Sequence, residues 1–190
     1  MTLLFWLSLT TIVYIYFGYP LLVGMLARLV GREPIRASIL PTVSLVIPAY
    51  NEEAYLEEKL RNSLSLEYPK DRLEIVVASD GSTDHTNAIA QRFDTQGVRL
   101  LAMREHLGKA RLLNAVVPRL RNEIVVFSDV SSRLQREAVR LLVRPLADPK
   151  VGCVCGLYRA APTTDLRSQG EGLYWSYETF LKRQESRLHS

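Results

Sequence analysis

The sequence predicts an α/β protein with a mostly parallel sheet flanked by helices, preceded by one transmembrane helix. Three observations carry this. Residues Thr2 to Ala27 contain no charge; short β-branched runs then alternate with amphipathic segments; and each run stops abruptly at polar residues. The 190 residues, with a formal net charge of +4, leave room for one core-forming domain and an appendage.

Leu3 to about Met25 is long enough to cross a ~30 Å hydrocarbon layer at 1.5 Å per residue. Trp6, Tyr14, Tyr16 and Tyr19 are interface-seeking aromatics. Gly18 and Pro20 weaken a soluble helix but are tolerated in a membrane one, and Pro20 predicts a bend. A cleaved signal peptide fits less well, because no basic start precedes the apolar run and no small-residue cleavage site follows it. Arg28, Arg32 and Arg36 come after the span and no Lys or Arg before it, which places the following domain in the cytoplasm. The expected organisation is an anchor over residues 1–30, a basic linker over 31–41, a core domain over 42–160 and the start of a further region over 161–190.

Val43 to Ile47 reads as a strand closed by Pro48. Glu52 to Leu64 follows as a helix with Leu56, Leu60 and Leu64 on one face. The alternation repeats: strands over Leu73–Ala78, Val98–Met103, Ile124–Ser128 and Val151–Tyr158, helices over Thr83–Phe93, Gly108–Val117 and Leu134–Leu146. Uninterrupted apolar strands alternating with such helices indicate a parallel sheet covered on both faces. Ala161 to Gly170 is polar and reads as irregular, Gly172 to Leu188 as helical. Cys153 and Cys155 share one face of the Val151 strand, too close for a bridge, and read as two packed thiols.

In an open parallel sheet, ligands bind beyond the carboxyl ends of the strands. The residues there are Pro48 to Glu53, Ser79 to Asp84, Arg104 to Ala110 and Ser128 to Ser132. Gly81 permits positive φ, Ser82 or Thr83 can cap the next helix, and Asp84 suits its first turn. Asp80 is left at a strand tip as an acceptor for an imide or a ribose hydroxyl, or as an ordinary turn aspartate. Lys109 after Gly108 either neutralises a phosphate or is a solvated lysine. No Walker loop is present, since Met103 and Ala110 stand where it needs Gly and Ser or Thr. Asp129 ends the most apolar strand and calls for a cation or a donor. The three histidines suggest no role.

Together, "VSLVIPAYNEE" (Val43 to Glu53), "EIVVASDGSTDHT" (Glu74 to Thr86), "GKARLLNA" (Gly108 to Ala115) and "IVVFSDVSS" (Ile124 to Ser132) resemble the family 2 glycosyltransferases of GT-A fold. The resemblance covers about Pro41 to Ser190. It implies an inverting transfer from a nucleotide-diphospho-sugar, most often uridine-linked, to a polysaccharide or lipid acceptor at a bacterial inner membrane, and no nucleic-acid partner. The implied donor-binding residues are Pro48, Ala49, Tyr50, Glu52, Asp80, Gly81, Lys109 and Asp129. Asp129 matches the first acid of the family's Asp-x-Asp and is the implied ligand of Mg or Mn; Ser131 replaces the second acid. The family's general base, in a Glu-Asp or Thr-Glu-Asp stretch, and its Gln-x-x-Arg-Trp motif do not occur. The chain therefore reads as a donor-binding half whose base is expected beyond Ser190. The alternative is a non-catalytic, membrane-tethered nucleotide-sugar-binding module.

Overall fold

A computed structural model describes residues 1–157 and 166–189. The chain forms two compact units, one of residues 38–144 and one of residues 1–37 with 145–190.

The first unit holds a parallel sheet of order β3-β2-β1-β4. Its strands are β1 (Val43–Ala49), β2 (Leu73–Ser79), β3 (Val98–Ala102) and β4 (Ile124–Phe127). In chain order, the second unit supplies α1 (Thr2–Val13) and α2 (Tyr19–Leu29), and the sheet is joined by α3 (Leu56–Leu64), α4 (Thr86–Gln91), α5 (Lys109–Val116) and α6 (Ala138–Val143). Alternation along the strands sorts the core. Val43, Leu45, Ile47, Ile75 and Val77 face α3, α4 and α6 through Leu56, Leu60, Ile89, Val139 and Val143, with Phe93 just after α4 joining them. Val46, Val76 and Ala78 face the other way, onto Leu112 and Val116 of α5. Both faces are covered, but unequally.

Several expected boundaries shift. Pro48 does not close β1; the strand continues to Ala49. Val46 gives its carbonyl to Ser128 N on the β4 side, and Ala49 gives its carbonyl to Asp80 N on the β2 side. Pro48 shares the side of Val46, where pairing with β4 ends at Val46↔Phe127, so the N–H it lacks is not required. The helix expected from Glu52 begins at Leu56, because Asn51 takes φ 53° and Glu52 accepts the amides of Tyr55 and Leu56 in a turn. The helix expected over Leu134–Leu146 starts later, as α6, and runs on as a 3-10 turn over Arg144–Ala147.

In the other unit, α1 and α2 are joined by a π-helical turn over Tyr14–Gly18, and Thr2–Leu29 is long and apolar enough to cross a membrane. This turn stands just before Pro20, where the sequence predicts a bend. Tyr19 N bonds to Tyr14 O, five residues back, and Pro20 has no N–H, so the carbonyls of Ile15 and Tyr16 lose their usual donors. The Tyr177 hydroxyl lies 3.3 Å from each of them. Tyr177 belongs to α7 (Leu166–His189), which packs along α2, with Phe180 Cζ 3.7 Å from where a Cβ on Gly24 would stand. Val23 and Ala27 are buried in this contact.

Three expectations fail in this unit. Val151 to Leu157 is irregular and not a strand; Tyr158 lies outside the described residues. Accordingly Cys153 and Cys155 are free, as expected, but exposed rather than packed. The irregular stretch expected over Ala161–Gly170 gives way to helix from Leu166, while 161–165 lie outside the described residues.

Candidate functional site

The site is built where the strands of the sheet end. After β2, Gly81 takes φ 69°, and a Cβ there would lie 2.6 Å from the carbonyl carbon of Glu105. Only glycine lets the loop after β3 pass this close. That loop is held by Asp80, which is 3% exposed. Its Oδ1 accepts Leu107 N at 2.8 Å and its Oδ2 accepts Gly108 N at 2.9 Å. His106 Nδ1 lies 3.0 Å from the same Oδ2. Asp80 is therefore a turn residue, as one of the two readings of the sequence has it, and it also lines the cleft described below.

Gly108, at φ 83°, then starts α5, whose first residue Lys109 reaches back to Asp129 Oδ1 at 2.7 Å. Asp129 follows β4 in a tight turn closed by Ser132 N donating to Asp129 O at 3.1 Å. Pro48, Ala49, Tyr50, Glu52, Asp80, Lys109 and Asp129 line one cleft of about 350 Å³, together with His106, Leu112, Val130 and Ser131. Every donor-side residue expected from the sequence is thus gathered there except Gly81, which shapes the wall from behind.

Other expected roles are redistributed. Ser82 and Thr83 do not cap α4. Ser82 Oγ accepts Asn51 N at 3.2 Å, and Thr83 N donates to Asn51 Oδ1 at 2.9 Å. Asp84 does the capping, accepting Thr86 N at 2.9 Å, and it also takes Glu53 N at 3.1 Å. These bonds tie the loop after β1 to the loop after β2. On the outer side, the backbone N–H and ring of His85 hold the Glu53 carboxyl below its usual range. The hollow beside them, of about 610 Å³ and lined by Glu53, His85, Ala88, Ile89 and Arg92, is wide open and shares no lining residue with the cleft.

Sequence reading missed two residues of the cleft region. His106 stacks on Tyr50 with ring centroids 4.1 Å apart while touching Asp80. Lys59 of α3 is 3% exposed and donates to Ser128 Oγ at 2.6 Å and Ser132 O at 2.5 Å. Burial pushes its pKa down to about 8, against the opposing pull of Asp129. The signal was present: Lys59 occupies the apolar face of its helix, beside Leu56, Leu60 and Ser63.

For a divalent ion, the available donors are the Asp129 carboxylate and the Ser131 hydroxyl, both in the cleft. Among the described residues no three His, Cys, Asp or Glu side chains come together. One carboxylate and one hydroxyl hold Mg or Mn weakly by themselves, and the residues suit such an ion best when substrate phosphates complete the shell.

Known proteins share the sequence pattern and the fold. A glycosyltransferase of Bacillus subtilis, described as probable and called YdaM, is 34% identical over 126 residues, 63% of this chain and 30% of the relative. The beta-monoglucosyldiacylglycerol synthase of a Synechocystis strain is 28% identical over 149 residues, 76% of this chain and 31% of that one. The chain thus spans about a third of these relatives. Among solved structures, a mannosyltransferase of Pyrobaculum calidifontis, in complex with GDP-Man and Mn2+, superposes with a TM-score of 0.65 at 34% identity. It covers 75% of this chain, which covers 44% of it. Staphylococcus aureus TarS (residues 1–349), in complex with UDP-GlcNAc, gives 0.50 at 26% identity, over 52% of this chain and 29% of TarS. The family match, spanning residues 44–189, takes in all four strand tips and the cleft they form, and by it the chain belongs to glycosyl transferase family 2.

Proposed function

We propose that this chain is the donor-binding half of an inverting glycosyltransferase. It takes a nucleotide-diphospho-sugar, uridine-linked by preference, for transfer to a saccharide or lipid acceptor. The observation that supports this most is the convergence of Tyr50, Asp80, Lys109 and Asp129 from four separate loops on one cleft of about 350 Å³. An exposed aromatic face, a buried carboxylate and an ammonium are the groups that a base, its polar edge and a diphosphate require. Pro48, Ala49 and Glu52 line the same cleft beside the base and ribose positions, and Gly81 keeps Asp80 in place.

Asp129, with Ser131, would hold Mg or Mn against the diphosphate, and such an ion supplies Lewis-acid stabilisation of the leaving group. Lys109 contributes charge to the same phosphates from the first residue of α5. Asp80 orients the nucleoside, and Tyr50 with Leu112 excludes water from one side of the cleft. Displacement at the anomeric carbon also needs a base on the acceptor hydroxyl, a role given to none of the residues above.

Titration of the full 190-residue chain, in detergent, with uridine and guanosine diphosphates plus Mn2+ tests the reading. Saturable binding of one of them, lost in Asp129→Asn, is expected; no binding of either rejects it. The GDP-Man in the Pyrobaculum enzyme makes the guanosine arm necessary.

We also place Thr2–Leu29 across a membrane with the sheet-bearing unit on the cytoplasmic side, because Arg28, Arg32 and Arg36 follow the span. The exposed thiols Cys153 and Cys155 give a readout. A membrane-impermeant maleimide labels them in inverted vesicles and not in intact spheroplasts; labelling of intact spheroplasts reverses the orientation.

A further inference from the structure

Lys59 is a cation without an obvious reason to be charged. Withdrawing an ammonium from water is costly, and a neutral donor could serve two oxygen acceptors at less expense. Its position suggests what offsets the cost. The two acceptors, Ser128 Oγ at 2.6 Å and Ser132 O at 2.5 Å, bracket the turn that carries Asp129 and Ser131. Ser128 N is fixed in turn to Val46 O of the central strand at 3.0 Å. One helical turn along α3, Asn62 extends the same attachment: its Oδ1 accepts Leu134 N and its Nδ2 donates to Leu134 O, both at 2.9 Å. The face of α3 thus grips the whole segment from Ser128 to Leu134 from behind.

Charge points the same way. Asp129 is already paired with Lys109 at 2.7 Å on the solvent side, while Lys59 sits behind the turn under the influence of the same carboxylate. With Ser131 in place of a second acid, the turn has two cations to one carboxylate. Lys59 thus adds a second positive charge beside the turn to that of Lys109, which favours a ligand carrying more than one negative charge there and offers nothing to a neutral nucleoside.

We infer that Lys59 is a positioning residue for the diphosphate side of the donor site, holding the Asp129–Ser131 turn through Ser128 and Ser132 while lending it a fixed positive charge. The inference rests on the nucleotide-sugar reading above.

Its test compares phosphorylated and unphosphorylated ligands. The full chain and Lys59→Met, both in detergent, are titrated with uridine diphosphate plus MnCl2 and, separately, with uridine; guanosine diphosphate and guanosine replace them if the wild type binds those. Methionine keeps the volume and removes the charge and the donors. Diphosphate affinity is expected to fall about tenfold, the scale of one lost charge-assisted hydrogen bond, with nucleoside affinity unchanged. The melting temperature is not expected to fall in step, because a buried cation has been exchanged for an apolar chain. Ser128→Ala, which removes one of the two acceptors, is expected to show a smaller loss confined to the diphosphate, and it decides the matter should Lys59→Met fail to fold. Equal loss of diphosphate and nucleoside, or undiminished diphosphate affinity in both variants, overturns the inference. If the wild type binds no nucleoside diphosphate, the nucleotide-sugar reading falls and this inference with it, a result distinct from a wild type that binds and variants that bind equally well.

Discussion

Lys109 Nζ lies 2.7 Å from Asp129 Oδ1 across the cleft mouth, and both side chains are more than half exposed, at 62% and 57%. An ion pair so open to water stabilises the fold by only ~0–1 kcal/mol, so a ligand can separate it easily. The ammonium stands where a cation bound to Asp129 would stand. Lys109→Ala is therefore expected to move two affinities in opposite directions. Mn2+ alone, followed by its paramagnetic resonance signal, should bind up to about fivefold more tightly once the competing charge is gone. A nucleoside diphosphate should bind severalfold more weakly for want of its phosphate partner. A parallel change of both affinities would refute the competition.

Asp80 cannot be removed cleanly. Its carboxylate holds the amides of Leu107 and Gly108 at 2.8 and 2.9 Å, so alanine would orphan two donors along with any ligand contact. Asp80→Asn is the sharper change: one oxygen remains an acceptor, while the new amide turns an N–H toward another N–H. The cost expected is on the order of 1–3 kcal/mol in denaturant unfolding, with nucleoside affinity reduced as well. Full retention of nucleoside affinity would leave Asp80 a loop-holding residue only.

The comparison of sequence with structure turns on where information is local. Asp80 and Gly81 were legible because an apolar strand followed by Asp-Gly leaves the turn few choices, and the backbone obeys at φ 69°. That Lys109 and Asp129 would come to one rim was legible, since every strand tip of a parallel sheet points there, but position alone left Lys109 between a phosphate partner and a solvated lysine. Lys59 was not. A lysine in a helix reads as solvated, and its partners Ser128 and Ser132 lie about 70 residues away in sequence. His106 was missed for a related reason: its contacts with Tyr50 and Asp80 arise only when three loops meet. Val151 to Leu157 failed in the opposite direction. Its β-branched and apolar residues suggested a strand, but strand propensity is realised only against a partner, and among the described residues none pairs with it.

Gly81 makes a prediction of its own. Alanine at this position meets both a left-handed backbone and a contact of 2.6 Å with main-chain carbon, which cannot swing aside as a side chain can. Gly81→Ala is expected to destabilise the sheet-bearing unit by roughly 1–3 kcal/mol, read from the shift in urea midpoint, and to loosen the Arg104–Gly108 loop in hydrogen exchange. Gly97→Ala, at φ 90° with nothing within 4 Å of the added carbon, isolates the backbone term and should cost less. Equal costs at the two positions would show that the close approach to Glu105 does not matter.

Lys59 also sets a direction for stability against pH. In the unfolded chain a lysine titrates near 10.4, about its usual value; folded, burial brings Lys59 down to about 8. Below about pH 8 both states carry the proton, and the full penalty for burying the cation is present. Between about pH 8 and about pH 10.4 the folded state has released a proton that the unfolded state still holds, so stability rises with pH across that window. Other groups titrate there too, and the informative quantity is the difference between wild type and Lys59→Met. That difference, from melting temperatures taken between about pH 7.5 and about pH 9.5, should shift steadily toward the wild type as the pH increases. A difference that stays constant across the window would mean that Lys59 keeps its proton in the folded protein throughout.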